Sequence, residues 1–132
     1  MQISPDLRTA GSVSGGTLEF SLKKSLLLND YRSGKILKSD ICDAHPELLR
    51  AAKNVGRITE DACPVCEPGI LIHVFFAFGK RLPSGGRCIT STHELEQIVS
   101  KDSSISCYVV EVCAECGWNY LLSLLMMGNN KI

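Results

Sequence analysis

The chain has 132 residues, with 14 Lys and Arg against 14 Asp and Glu, and seven cysteines. That length fits one domain, or one small domain with an accessory segment, and can bury a core of its own. Divided at Cys66, the charges are 9 basic and 8 acidic before and 5 and 6 after, so neither half is a polyelectrolyte, which argues against bulk-charge binding of nucleic acid and leaves only a local patch.

Residues 1–16, "MQISPDLRTAGSVSGG", are rich in Ser, Gly and Thr without a period and read as a flexible tail. They have neither the charged start nor the apolar run of a secretion signal, so a cytoplasmic location is expected. Residues 17–60 read as a helical N-terminal segment. Leu18, Leu22, Ser25, Leu26, Leu28 and Tyr31 recur at mixed three-to-four spacing, with Gly34 as a stop. In "SDICDAHPELLRAAKNVG", Ser39 is expected to cap a short helix over 40–44. Pro46 then opens another that turns Leu48, Leu49 and Ala52 inward and ends at Gly56.

From about residue 61 to 132 the texture is that of a β domain. "ILIHVFFAFGK" is β-branched and aromatic, "RLPSGGR" is a turn, and "TSTHELEQIV" is a helix with Ser91 and Glu94 in capping-box register. "SISCYVVEV" is a second strand. "WNYLLSLLMMG" is too short and too interrupted to span a bilayer. Its Leu and Met favour helix, but it follows a tight cysteine turn directly after a strand, and a returning strand is expected.

In a reducing cytosol, seven cysteines, an odd count, point to metal ligands or catalytic thiols rather than a disulfide framework. "CPVC" and "CAEC" supply them at matched spacing: Cys63 and Cys66, then Cys113 and Cys116. Four thiolates hold zinc tetrahedrally, and antiparallel strands would bring both turns to one end of the sheet. The interval is longer than the roughly 15–20 residues of compact four-cysteine fingers and accommodates the inserted helix. One structural Zn2+ per chain is the expectation; a redox dithiol and inert thiols are the alternatives. A redox pair of the strand–helix kind fits poorly, because there are two pairs and no βαβ alternation.

The remaining candidates are weaker. Cys42 and His45 form a C-x-x-H pair that would share a helix face, but no other His/Cys pair matches their spacing, and a buried cysteine beside a helix-ending histidine is the plainer reading. Cys88 and Cys107 read as small hydrophobes in or near strands. His73 reads as a core or edge histidine. Glu111 either lends charge near the site or reaches solvent, and Trp118 packs over the metal site. Arg50, Lys53 and Arg57 recur at helical spacing behind Lys35 and Lys38, a possible face for nucleic acid or an acidic partner. No nucleophile–base pair, carboxylate dyad or phosphate loop is present, so no enzyme is expected.

"ICDAHPELLRAAKNVG", "CPVC" and "YVVEVCAECGWNYL" resemble an actinobacterial family of small uncharacterised proteins, classed as a domain of unknown function. The resemblance runs from about Leu18 to Gly128 and implies the same four cysteine ligands without naming an activity. Tyr120 stands where the family pattern implies a histidine. The fold expected is α+β: a helical N-terminal portion packed on an antiparallel zinc-ribbon-like sheet with one inserted helix. The function expected is a zinc-binding, non-enzymatic adapter with protein partners in a cytosolic machine such as transcription or translation, and no membrane. A thiol-based redox or metal-responsive protein, or a nucleic-acid binder using the helical half, are the alternatives.

Overall fold

The computed structural model describes residues 16–101 and 104–127. Apart from Gly16, the expected flexible tail lies outside them. In chain order the elements are β1 (Gly16–Glu19), α1 (Ser21–Arg32), α2 (Lys38–Ile41), α3 (Pro46–Val55), β2 (Arg57–Ala62), β3 (Ile70–Phe78), β4 (Arg87–Ile89), α4 (Thr92–Lys101), β5 (Ile105–Cys113) and β6 (Asn119–Met127). The strands make one antiparallel sheet in the order β1-β6-β5-β3-β2, and β4 pairs with β3. The fold is α+β, with the helices concentrated in the N-terminal half.

β3 and β5 form the centre because both are continuous apolar runs, suited to a strand covered on its two faces. Their register sets Leu71 opposite Cys113 and Phe78 opposite Ser106, which places the end of each strand that carries a cysteine turn at the same end of the sheet. Successive side chains alternate between faces. Phe75, Ala77, Cys107 and Val109 join Leu95, Ile98 and Val99 of α4 in one core. Farther along the same face, Leu71 and Cys113 join Leu28 of α1 and Trp118. The opposite face sets Val74 and Val112 against Ala52 of α3.

Sequence and structure differ at the short strand β4, which the sequence did not announce, and mainly in the N-terminal half. The helix expected from Thr17 starts only at Ser21, because Gly16–Glu19 pair with Met126–Ser123 and continue into a Phe20 N–H to Leu122 C=O bond of 2.9 Å. That pairing satisfies the outer edge of β6, which would otherwise be left open. The apolar stripe also lies elsewhere on α1. Leu22 and Leu26 are 71% and 55% exposed, whereas Lys24, Leu27, Leu28 and Tyr31 face the sheet. The short helix expected over 40–44 is α2, displaced toward the N-terminus, and its first turn is held by the Leu37 N–H donating to Asp40 Oδ2 at 3.0 Å. α3 follows the expected design: His45 Nδ1 accepts the Glu47 N–H at 3.0 Å, Pro46 opens the first turn, and Gly56 follows the last. Arg57 therefore begins a strand and does not continue the basic stripe of α3.

Candidate metal centre

The two cysteine turns are built alike. In the first, the Glu67 N–H bonds to the Cys63 carbonyl at 3.2 Å, and Cys63 N–H bonds to Gly69 C=O at 2.8 Å. In the second, the Gly117 N–H bonds to the Cys113 carbonyl at 2.9 Å, and Cys113 N–H bonds to Trp118 C=O at 2.8 Å. Each turn needs a left-handed residue just after its second cysteine. Gly117 takes φ 92°, but in the first turn the position is Glu67, at φ 67°. Backbone N–H groups point back at sulfur: Val65 donates to Cys63 Sγ at 3.4 Å and Trp118 to Cys116 Sγ at 3.4 Å.

The sulfurs converge. Sγ of Cys63, Cys66, Cys113 and Cys116 all lie within 4.8 Å of one another. Cys63 and Cys116 are 3.7 Å apart, and Cys66 and Cys113 are 3.6 Å apart. Zinc–thiolate bonds of roughly 2.3 Å place tetrahedral sulfurs about 3.8 Å apart, so four soft donors at this separation fit such an ion. Gly69 lies against the sulfurs. A Cβ there would run into Cys113 Sγ and come 3.0 Å from Cys66 Sγ.

Without an ion, Cys63, Cys113 and Cys116 are shifted in different directions. Burial raises Cys113, but N–H groups of Cys116 and Glu115, with the thiols of Cys66 and Cys63, outweigh it and hold Cys113 below the usual 9.0. Burial pushes Cys63 and Cys116 up to about 12 despite backbone N–H donors. A bound cation favours the deprotonated form of every thiol that ligates it.

Behind the sulfurs lies a polar anchor that the sequence left open. Glu111 is 2% exposed, and does not reach solvent. It accepts the Trp118 Nε1–H at 2.8 Å and the Lys24 ammonium at 2.7 Å, tying α1 to the strand that ends in Cys113. Trp118 is wholly buried in the cluster that contains Cys63 and Cys113, and its ring stacks on Tyr120 at 5.9 Å and 4°. Lys24 sits at helical spacing with Leu27, Leu28 and Tyr31, a pattern that could have revealed the pairing.

A fifth thiol also reaches the site. Cys42 Sγ lies 3.5 Å from Cys116 Sγ. Neither Cys88 nor Cys107 is near: Cys107 lies in the core under α4, and Cys88 packs with the group under α3. His45 is engaged as the α3 cap and so does not share a helix face with Cys42. Of the basic residues, Arg50 pairs with Glu47 at 2.6 Å and Lys35 approaches Asp30 at 4.0 Å, while Lys38 and Lys53 are exposed and Arg57 is half-buried in β2. His73, on β3 opposite Glu111, is held below 6.5 by burial. No helix among the described residues is long and apolar enough to cross a membrane.

The comparisons agree with a family whose chemistry is open. Over 111 residues, 84% of this chain and 81% of the relative, it is 34% identical to uncharacterised proteins of Mycobacterium tuberculosis (Rv0049) and Mycobacterium bovis (Mb0050). No solved structure matches it. The family of unknown function DUF5318 matches residues 13–132, and the chain belongs to that family.

Proposed function

We propose that this protein binds one structural zinc ion through Cys63, Cys66, Cys113 and Cys116 and serves as a non-enzymatic interaction module, an adapter in a cytosolic machine such as transcription or translation. The observation that carries the metal reading is the convergence of four sulfurs within 4.8 Å from two turns of the same construction. Four donors from the chain fill a tetrahedral shell and leave no position for a reacting water, the arrangement of a structural ion. The interaction reading draws support from apolar surface outside the core. Leu22 and Leu26 stand one turn apart on α1, 71% and 55% exposed. An open hollow of about 590 Å³ beside α3 is lined by Phe76, Phe78, Tyr108 and Leu121. Exposed apolar groups that are contiguous mark contact sites, whereas scattered ones carry no such meaning.

Native mass spectrometry of protein purified under reducing conditions is expected to give one zinc per chain. Cys113→Ser should lose the ion and melt at a lower temperature. A metal-free parent of unchanged stability would overturn the metal reading. For the interaction reading, partners captured by cross-linking in a cytosolic extract should be lost with Leu22→Lys/Leu26→Lys while metal content and melting stay the same. Retained capture would remove α1 as the contact. A thiol-based response is the second reading, and the nearness of Cys42 to Cys116 favours it.

A further inference from the structure

We infer that Cys42 and Cys116 form a thiol switch on the metal centre, in which a hydroperoxide joins them as a disulfide and withdraws one donor from the four-sulfur set. This rests on the metal-binding reading above. The contact of 3.5 Å between the two sulfurs is shorter than the 3.6 and 3.7 Å contacts within the set. Cys42 is also held in place from both sides. Its N–H bonds to Lys38 C=O at 2.8 Å, Ala44 N–H bonds to Gly117 C=O at 3.0 Å, and Asn119 Nδ2 donates to Asp43 Oδ1 at 3.1 Å. A Cβ on Gly117 would come 2.9 Å from the Cys42 carbonyl oxygen, so only glycine allows the loop to lie this close to the second cysteine turn.

Accessibility and contact together select the reacting pair. Cys63 and Cys113 are 1% and 0% exposed, whereas Cys42, Cys66 and Cys116 are partly open to solvent. The sulfur that Cys66 touches is that of buried Cys113, at 3.6 Å, whereas Cys42 and Cys116 touch each other and are both open. Cys116 is a member of the set and Cys42 is outside it, so joining them costs the ion one ligand and leaves three. Cys116 sulfur attacks a peroxide oxygen, the S–O bond forms, the O–O bond breaks, and hydroxide leaves. Cys42 sulfur then attacks the sulfenic sulfur, the S–S bond forms, the S–O bond breaks, and a second hydroxide leaves. Two thiols give up two electrons and two protons, and hydrogen peroxide becomes two waters. A disulfide needs the sulfurs at about 2.05 Å, a closure of about 1.5 Å from the observed contact.

The test uses the full chain, reduced, with its metal content measured first. Hydrogen peroxide is added, zinc release is followed with a chromophoric chelator, and disulfides are mapped on non-reduced peptides. The expected product links the Cys42 and Cys116 peptides, appears together with free zinc, and is reversed by dithiothreitol. Cys42→Ser and Cys42→Ala should load zinc as the parent does, but carry sulfinic acid at Cys116 and fail to rebind zinc after dithiothreitol, where the parent recovers it. Zinc-loaded parent that links Cys63 to Cys66 or Cys113 to Cys116 while Cys42 stays free to alkylation overturns the switch, as do Cys42 variants whose zinc release dithiothreitol reverses as fully as the parent's. A metal-free parent that still forms the Cys42–Cys116 link supports the pair and overturns the metal reading instead.

Discussion

At the scale of single residues, the two cysteine turns pose the same backbone problem and solve it with different side chains. Glu67 holds φ 67° and Gly117 holds φ 92° at equivalent places. A residue with a Cβ is strained in this region and glycine is not. Glu67→Gly should therefore raise stability by about 0.5–1 kcal/mol. Gly117→Ala should lower it by more than that, because its Cβ also meets the Cys42 carbonyl at 2.9 Å. Urea unfolding of the zinc-loaded variants checks both signs. Glu111 shows where reading by residue stops. Its alternation with Cys107 and Val109 marks the face on which it lies, yet its partner is Lys24 on a helix far away in sequence. Of the two lysines in a row, Lys24 shares the helical spacing of Leu27, Leu28 and Tyr31 and Lys23 does not, but nothing local says that its partner is Glu111.

At the scale of elements, what is legible is what is local. The two cysteine turns, the strands running out of and into them, and the cap of α4 each follow from a few adjacent residues. Ser91 Oγ accepts the Glu94 N–H at 3.1 Å as the spacing requires, although the Glu94 carboxylate reaches back to Thr90 N–H at 2.8 Å and not to Ser91. The short strands are a different matter. β2 carries one clearly apolar residue, Ile58, and is 73% exposed there; it exists because β3 offers an edge at Ile72 and His73. β1 and β4, of four and three residues, likewise owe their form to a neighbour and not to a period. At Glu94, burial raises the carboxyl, but Thr90 and Arg87 outweigh it and hold it below 4.5. A folded-state value below the unfolded one means that the unfolded chain takes up the proton first as pH falls. The contribution of Glu94 is thus fully present above about pH 4.5 and is lost as pH falls through the lower folded value. Melting curves of parent and Glu94→Gln at each pH should converge on acidification, because the contribution that the parent loses is the one the variant lacks.

At the scale of the whole molecule, one face of the sheet carries two cores of different kinds. The core under α4 is apolar throughout, with Phe75, Leu95, Val99 and Ile105 all closed to solvent. The core at the cysteine end has fewer buried residues and includes two thiols that would bind the ion. Local stability tracks buried apolar contact. Removal of the ion with a chelator should therefore release amide protection first in the two cysteine turns, α1 and α2, and leave β3, β5 and α4 slow to exchange. Hydrogen exchange read by mass spectrometry checks this, and uniform loss across the chain would show one cooperative unit instead. Charge balance speaks only of the chain as a whole, whereas the division of labour between the cores depends on which apolar residues meet across the sheet, and no single stretch contains that.

The strand order has a consequence for how the protein is made. Gly16 lies opposite Met126, so the first strand has its place only beside the last. During synthesis the Cys63 and Cys66 turn leaves the ribosome well ahead of its counterpart, since Cys113 follows Cys66 by 47 positions. Until then the nascent chain offers an ion two thiolates and an open shell, and any ion captured early is held in an incomplete site. On the proposed reading, ion capture and sheet closure therefore finish together, once β6 and its cysteine turn have been made, and chains starved of the metal would stop at that step.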